Sequence, residues 1–68
     1  MTTIADRIRS ARIAADLTQQ QLADAIPTPG GRQQVSGWES GLRTPRRATL
    51  ERIAEVLDVK AGWLMFGE

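Results

Sequence analysis

Apolar residues recur along this chain at helical spacing, and alternating apolar and polar runs are absent. Ile4, Ile8, Ala11 and Ala15 make one stripe and predict a first helix over about residues 4–15. Thr3 with Asp6 fits an N-terminal capping box, and Arg7, Arg9 and Asp16 lie off the stripe. The run Thr18-Gln19-Gln20-Gln21 predicts a second start, with Thr18 as N-cap and Gln21 reaching back. Leu22, Ala23 and Ile26 supply its buried face, and Pro27 ends it by disfavouring helical geometry at the preceding residue. Residues 27–31 form a turn in which Pro29-Gly30 suits the centre of a type II turn. A third helix follows over about residues 32–39, with Gly31 in the N-cap place and Gly41 as its stop. Residues 42–46 connect it to a fourth helix over 47–57, whose Leu50, Ile53, Ala54 and Leu57 share one face. A short fifth helix near residues 61–65 sets Trp63 and Leu64 as a lid on the core. The fold class is therefore all-α, a compact bundle of five short helices.

Length and composition narrow the function. A chain of 68 residues is one domain, residues 1–68, that buries roughly 60 % of its unfolded surface. No Cys is present, so no disulfide or thiolate zinc site stabilises it. No His is present, which removes the commonest metal ligand and general base. The eight acidic residues show no cluster with metal-loop spacing. The expectation is a binding module without cofactor or small-molecule ligand, and not an enzyme. The N-terminus has no apolar signal region. The longest large apolar run, Trp63-Leu64-Met65-Phe66, is far short of the roughly 20 residues that span a bilayer. A soluble cytoplasmic protein with no membrane partner is expected.

Charge becomes informative once it is localised. Residues 1–30 carry three Arg and three Asp, for zero, and residues 31–52 carry five Arg and two Glu, for +3. Residues 53–68 carry one Lys and three acids, for −2. The basic middle third is compatible with a solvated loop or with a phosphate partner, for which the Arg fork is suited. The second and third helices form a helix-turn-helix candidate. At roughly 100° per residue, Val35, Trp38 and Glu39 fall on one side of the third helix. Gln33 and Gly37 fall opposite, flanked by Gln34, Ser36 and Ser40, with Arg32 at the N-terminal end. A merely solvated face normally carries Glu and Lys. Amides and a guanidinium instead match adenine and guanine edges in the major groove, and small residues let the backbone approach.

The ordered set of landmarks resembles the Cro/phage-repressor type, or lambda repressor-like, helix-turn-helix family. The matching residues are Arg12, Thr18-Gln19, Leu22-Ala23, Val35-Ser36, Trp38-Glu39-Ser40-Gly41, Pro45, Leu50, Ile53-Ala54, Leu57-Asp58-Val59, Trp63-Leu64 and Gly67. The resemblance spans nearly the whole chain. It implies a five-helix domain that binds operator DNA as a homodimer, with its third helix in the major groove. One departure stands out. Pro27 occupies the place of the family's usual turn Gly, and Val35 follows Ala23 by 12 residues, two more than usual. The turn over residues 27–31 absorbs the insertion.

Each candidate has a functional and a plain alternative. Gln33 is the lead candidate for a base-edge contact, against a solvated amide. Arg32 and Gln34 are open between base, phosphate and neither, and Ser36 between DNA and a surface hydroxyl. Gly37 lies on the DNA-facing side and either permits close approach or forfeits a contact. Gln19 resembles the family Gln that holds a phosphate at a helix start, against a role in capping. At least one of Arg43, Arg46 and Arg47 is expected to contact phosphate or enter the minor groove, against solvated loop charge. Trp38 is expected in the core rather than as a stacking platform. Arg12 and Glu39 resemble the family's structural ion pair. Residues 63–66 are mainly core, with some exposure as a dimer patch.

The leading function is a sequence-specific transcriptional regulator, a repressor of phage, prophage or bacterial origin. The alternative is an antitoxin-type interaction module that binds a partner protein as well as DNA. A complete small regulator and the DNA-binding end of a longer repressor both fit the sequence.

Overall fold

The computed structural model describes residues 2–26 and 29–67. Five helices follow one another, α1 (Ile4–Ala14), α2 (Gln19–Ala25), α3 (Gly31–Ser40), α4 (Arg47–Leu57) and α5 (Ala61–Phe66), with no strand among the described residues. None of these helices is long and apolar enough to cross a membrane.

Local chemistry accounts for most boundaries. At α1, Thr3 Oγ1 accepts from the Asp6 amide at 3.1 Å and Asp6 Oδ2 accepts from the Thr3 amide at 3.3 Å. At α2, Thr18 Oγ1 accepts from the Gln21 amide at 3.0 Å and Gln21 Oε1 from the Thr18 amide at 2.8 Å. Both expected capping boxes are present. Ile26 leaves the helix at φ −123°, ψ 87°, outside the helical region that a following proline disfavours. Pro27, the expected stop, and Thr28 lie outside the described residues.

Four helix ends differ from the sequence expectation by one residue. Helix α1 stops at Ala14 because Asp16 turns left-handed at φ 60° and the Leu17 amide reaches the Arg12 carbonyl at 3.2 Å. Helix α5 runs on through Phe66 and is stopped by Gly67 at φ 79°. Helix α3 gains a residue at each end, and Gly30 rather than Gly31 precedes its first turn. Gly30 has φ 93°, ψ −15°, as the third residue of a type II turn requires, and Gly31 also has positive φ at 50°. Two successive left-handed residues are accessible without steric cost only to glycine. The Gly-Gly pair therefore carries the chain into α3.

The core gathers Ile8 and Ala11 of α1, Leu22, Ala23 and Ile26 around α2, Val35 and Trp38 of α3, and Leu50, Ile53, Ala54 and Leu57 of α4. Leu64 of α5 closes it, fully buried, with Trp63 and Met65 half-buried beside it. Trp38 is buried, as its shared face with Val35 predicts. Helix α2 packs chiefly on α3, α4 packs on α5, and α1 touches α3, α4 and α5.

Arg7 has a place in the fold that helical spacing does not reveal. It lies off the apolar stripe of α1 and yet is buried. Its Nε donates to the Leu64 carbonyl at 2.9 Å and its Nη2 to the Met65 carbonyl at 3.1 Å. Its Nη1 donates to the Thr2 carbonyl at 2.8 Å. The last carbonyls of a helix have no partner within it, and a cation near them is favoured. Arg7 fills that role for α5 from a helix 57 residues away in sequence.

Candidate nucleic-acid interface

The interface is held from behind by Glu39. Arg12 of α1 meets it with two bonds, Nε to Oε2 at 2.6 Å and Nη2 to Oε1 at 3.0 Å. Arg12 Nη1 donates to the Leu17 carbonyl at 2.7 Å, so the same side chain also fixes the α1–α2 link. Gln19, the first residue of α2, donates from Nε2 to Glu39 Oε1 at 3.2 Å. The bond to the Glu39 carboxylate raises the Arg12 guanidinium above its ordinary pKa, against an opposing effect of burial. These contacts set the angle between α2 and α3 by side-chain chemistry in addition to apolar packing.

The opposite face of α3 is open. One shallow groove is lined by Pro29, Gly30, Gln33, Gln34, Ser36, Gly37, Ser40, Leu42 and Arg43. That lining holds a cation, two amides and two hydroxyls, and no carboxylate. Five expected site residues, Gln33, Gln34, Ser36, Gly37 and Arg43, are thus brought together. Gln33 and Ser36 are exposed.

Gly37 differs from its expected place on an open surface, because it is buried. The stem of Arg43 lies over it, and a Cβ built on Gly37 would sit 3.4 Å from Arg43 Cδ. The Arg43 amide donates to the Gly37 carbonyl at 3.1 Å, and its Nη1 donates to Gln34 Oε1 at 2.9 Å. Sequence spacing places Gly37 on the outward face but carries no sign that a residue of the next loop returns to cover it.

The remaining candidates stand elsewhere. Gln19 and Arg32 line a second depression with Arg12, Ile13, Gln20 and residues 16–18. Arg32 is exposed there, and Gln19 is half-buried with one amide hydrogen committed to Glu39. Arg46 and Arg47 are exposed at the start of α4, outside the lining of the α3 groove. Arg47 forms a loose, exposed pair with Glu51 at 3.8 Å, a contact of small energetic weight.

Spacing already places Ser40 on the outward face of α3, whereas Leu42 escapes the sequence argument. Ser40 donates from Oγ to the Gly37 carbonyl at 3.2 Å. Leu42 is 80 % exposed at the groove edge. Its position between Gly41 and Arg43 gives no periodic signal, so sequence spacing assigns it no face.

No curated protein and no solved structure matches the chain. The helix-turn-helix family HTH_3 matches residues 8–64, from within α1 to within α5, and so covers every helix that builds the interface. The family is non-enzymatic. The chain therefore belongs to the Cro/C1-type, lambda repressor-like helix-turn-helix family, and it is a DNA-binding protein of the kind that regulates transcription.

Proposed function

We propose that the protein reads a defined double-stranded operator by laying α3 in the major groove, and that it acts as a repressor. The carrying observation is the α3 groove itself, with Gln33, Gln34, Ser36 and Arg43 on one open face and no carboxylate in its lining. Phosphates repel carboxylates, and base edges need groups that donate and accept. Gln33 is the principal base reader, being exposed near the N-terminal end of α3, the part of a recognition helix that contacts bases.

Affinity comes from the backbone contacts around that groove. Arg32 and Gln19, which line the second depression, and Arg46 and Arg47, exposed at the start of α4, supply them. A Gln amide has two N–H groups, so Gln19 keeps one for a phosphate while the other holds Glu39. The domain acts as a homodimer on a two-fold operator. The exposure of Phe66, at 73 %, beside half-buried Trp63 and Met65 supplies an apolar surface for pairing.

Selection of binding sites from random duplex DNA, followed by footprinting, tests this reading. The expected product is a site with two related half-sites one helical turn apart. Recovery of no consensus at moderate salt would overturn sequence-specific readout.

A further inference from the structure

We propose that Arg43 and Gln34 form a preassembled reading head that presents only donors and thereby selects guanine. This inference rests on the placement of α3 in the major groove. Arg43 is held at three points. Its amide donates to the Gly37 carbonyl, its stem lies on the bare Gly37 backbone, and its Nη1 donates to Gln34 Oε1 at 2.9 Å. The absent side chain at residue 37 is the bed for that stem, since a Cβ would already stand 3.4 Å from Cδ and 3.5 Å from Cγ.

The pairing changes what Gln34 can read. A free Gln accepts from adenine N6 and donates to adenine N7. Here Oε1 already accepts from a guanidinium, whose positive charge opposes a second donor at the same oxygen. The groups left over are the Nε2 hydrogens of Gln34 and the remaining N–H groups of Arg43, all donors. Guanine presents two acceptors, O6 and N7, in the major groove, whereas adenine presents one acceptor and one donor. A donor-only pair therefore matches guanine. Holding the Arg43 side chain in place before binding also reduces the ordering cost of the contact.

The test uses the whole chain and site selection from random duplexes for the wild type, Gln34→Ala, Arg43→Ala and Gly37→Leu. The wild type is expected to select a guanine at a position that all three variants lose together, with the other positions retained. Replacing that guanine by a deazaguanine lacking N7 should weaken wild-type binding about tenfold and leave the variants nearly unchanged. Gly37→Leu acts by filling the bed of Arg43, and the two Ala variants decide the matter if it does not fold. Three results with the Gln34 and Arg43 variants overturn the proposal. They are an adenine at the position lost in Gln34→Ala, different positions lost in the two Ala variants, or an Arg43→Ala protein weakened equally on all duplexes with a lower salt slope. A wild type that selects no sequence overturns the major-groove reading along with it. A wild-type site relaxed by Gln33→Ala but lacking the shared guanine overturns this inference alone.

Discussion

Arg12 grips Glu39 through two parallel bonds, of 2.6 and 3.0 Å, that join the first helix to the recognition helix. Their side chains are only 13 % and 4 % exposed. Removing one partner of such a pair leaves the other charge poorly solvated, whereas removing both does not. Glu39→Ala is therefore expected to cost about 3 kcal/mol in urea unfolding. Arg12→Met combined with Glu39→Met should cost less than the two single changes added together. Strict additivity would mean that the pair is not coupled.

The same site links stability to binding. Glu39 holds Gln19 as well as Arg12, so Glu39→Gln should disturb the start of α2 even where the fold survives. The expected readout is weaker DNA binding at a temperature well below the unfolding midpoint, together with faster amide exchange at Gln21 and Leu22, whose amides are bonded to Thr18. Unchanged binding by the folded variant would detach Glu39 from the interface.

Arg7 should prove as important to stability as a core residue. Arg7→Met keeps the apolar stem but leaves the carbonyls of Leu64 and Met65 without their present donors. A loss of about 2 kcal/mol is expected, with hydrogen exchange accelerated first in α5. Arg7→Lys should recover only part of it, because an ammonium cannot reproduce the planar fork. A melting temperature unchanged in Arg7→Met would refute the role.

Left-handed positions supply predictions of opposite sign. Asp58 ends α4 at φ 56°, with its own amide bonded to Glu55 and that of Val59 bonded to Ala54. A carboxylate there also faces the negative end of the helix. Asp58→Gly relieves both and should stabilise the domain by about 1 kcal/mol. Gly30→Ala places a Cβ at φ 93° and should destabilise by about the same amount. Thermal melts of the two variants check both signs.

Base and phosphate contacts separate by their salt dependence. Gln33→Ala should weaken binding to the selected operator by about 1–3 kcal/mol and leave the slope of log K against log salt unchanged. Arg47→Ala should weaken specific and non-specific duplexes alike and lower that slope by about 0.9. Fluorescence anisotropy at several salt concentrations distinguishes them. Equal losses on all duplexes for Gln33→Ala would remove it as a base reader.

Much of this molecule was legible from short-range pattern. The caps at Thr3 and Thr18, the stop at Gly41, the span of α4 and the inward face of Val35 and Trp38 each depend on residues within a few positions of one another. Helical periodicity also separates the outward face of α3, and so picks out Gln33, Gln34 and Ser36. The family pattern adds the Arg12–Glu39 pair, whose partners are 27 residues apart and beyond any local rule.

What the sequence by itself determined was the set of helices, their buried stripes and the polar surface of α3, because spacing and capping act along one stretch of backbone. Only the tertiary structure decided that Arg7 closes α5, that Gln19 turns to Glu39, and that Arg43 covers Gly37 and takes the oxygen of Gln34. Those outcomes depend on how helix ends and loops meet in space. An arginine with many rotamers takes whichever acceptors the packed helices bring within its reach, and periodicity carries no information about that choice.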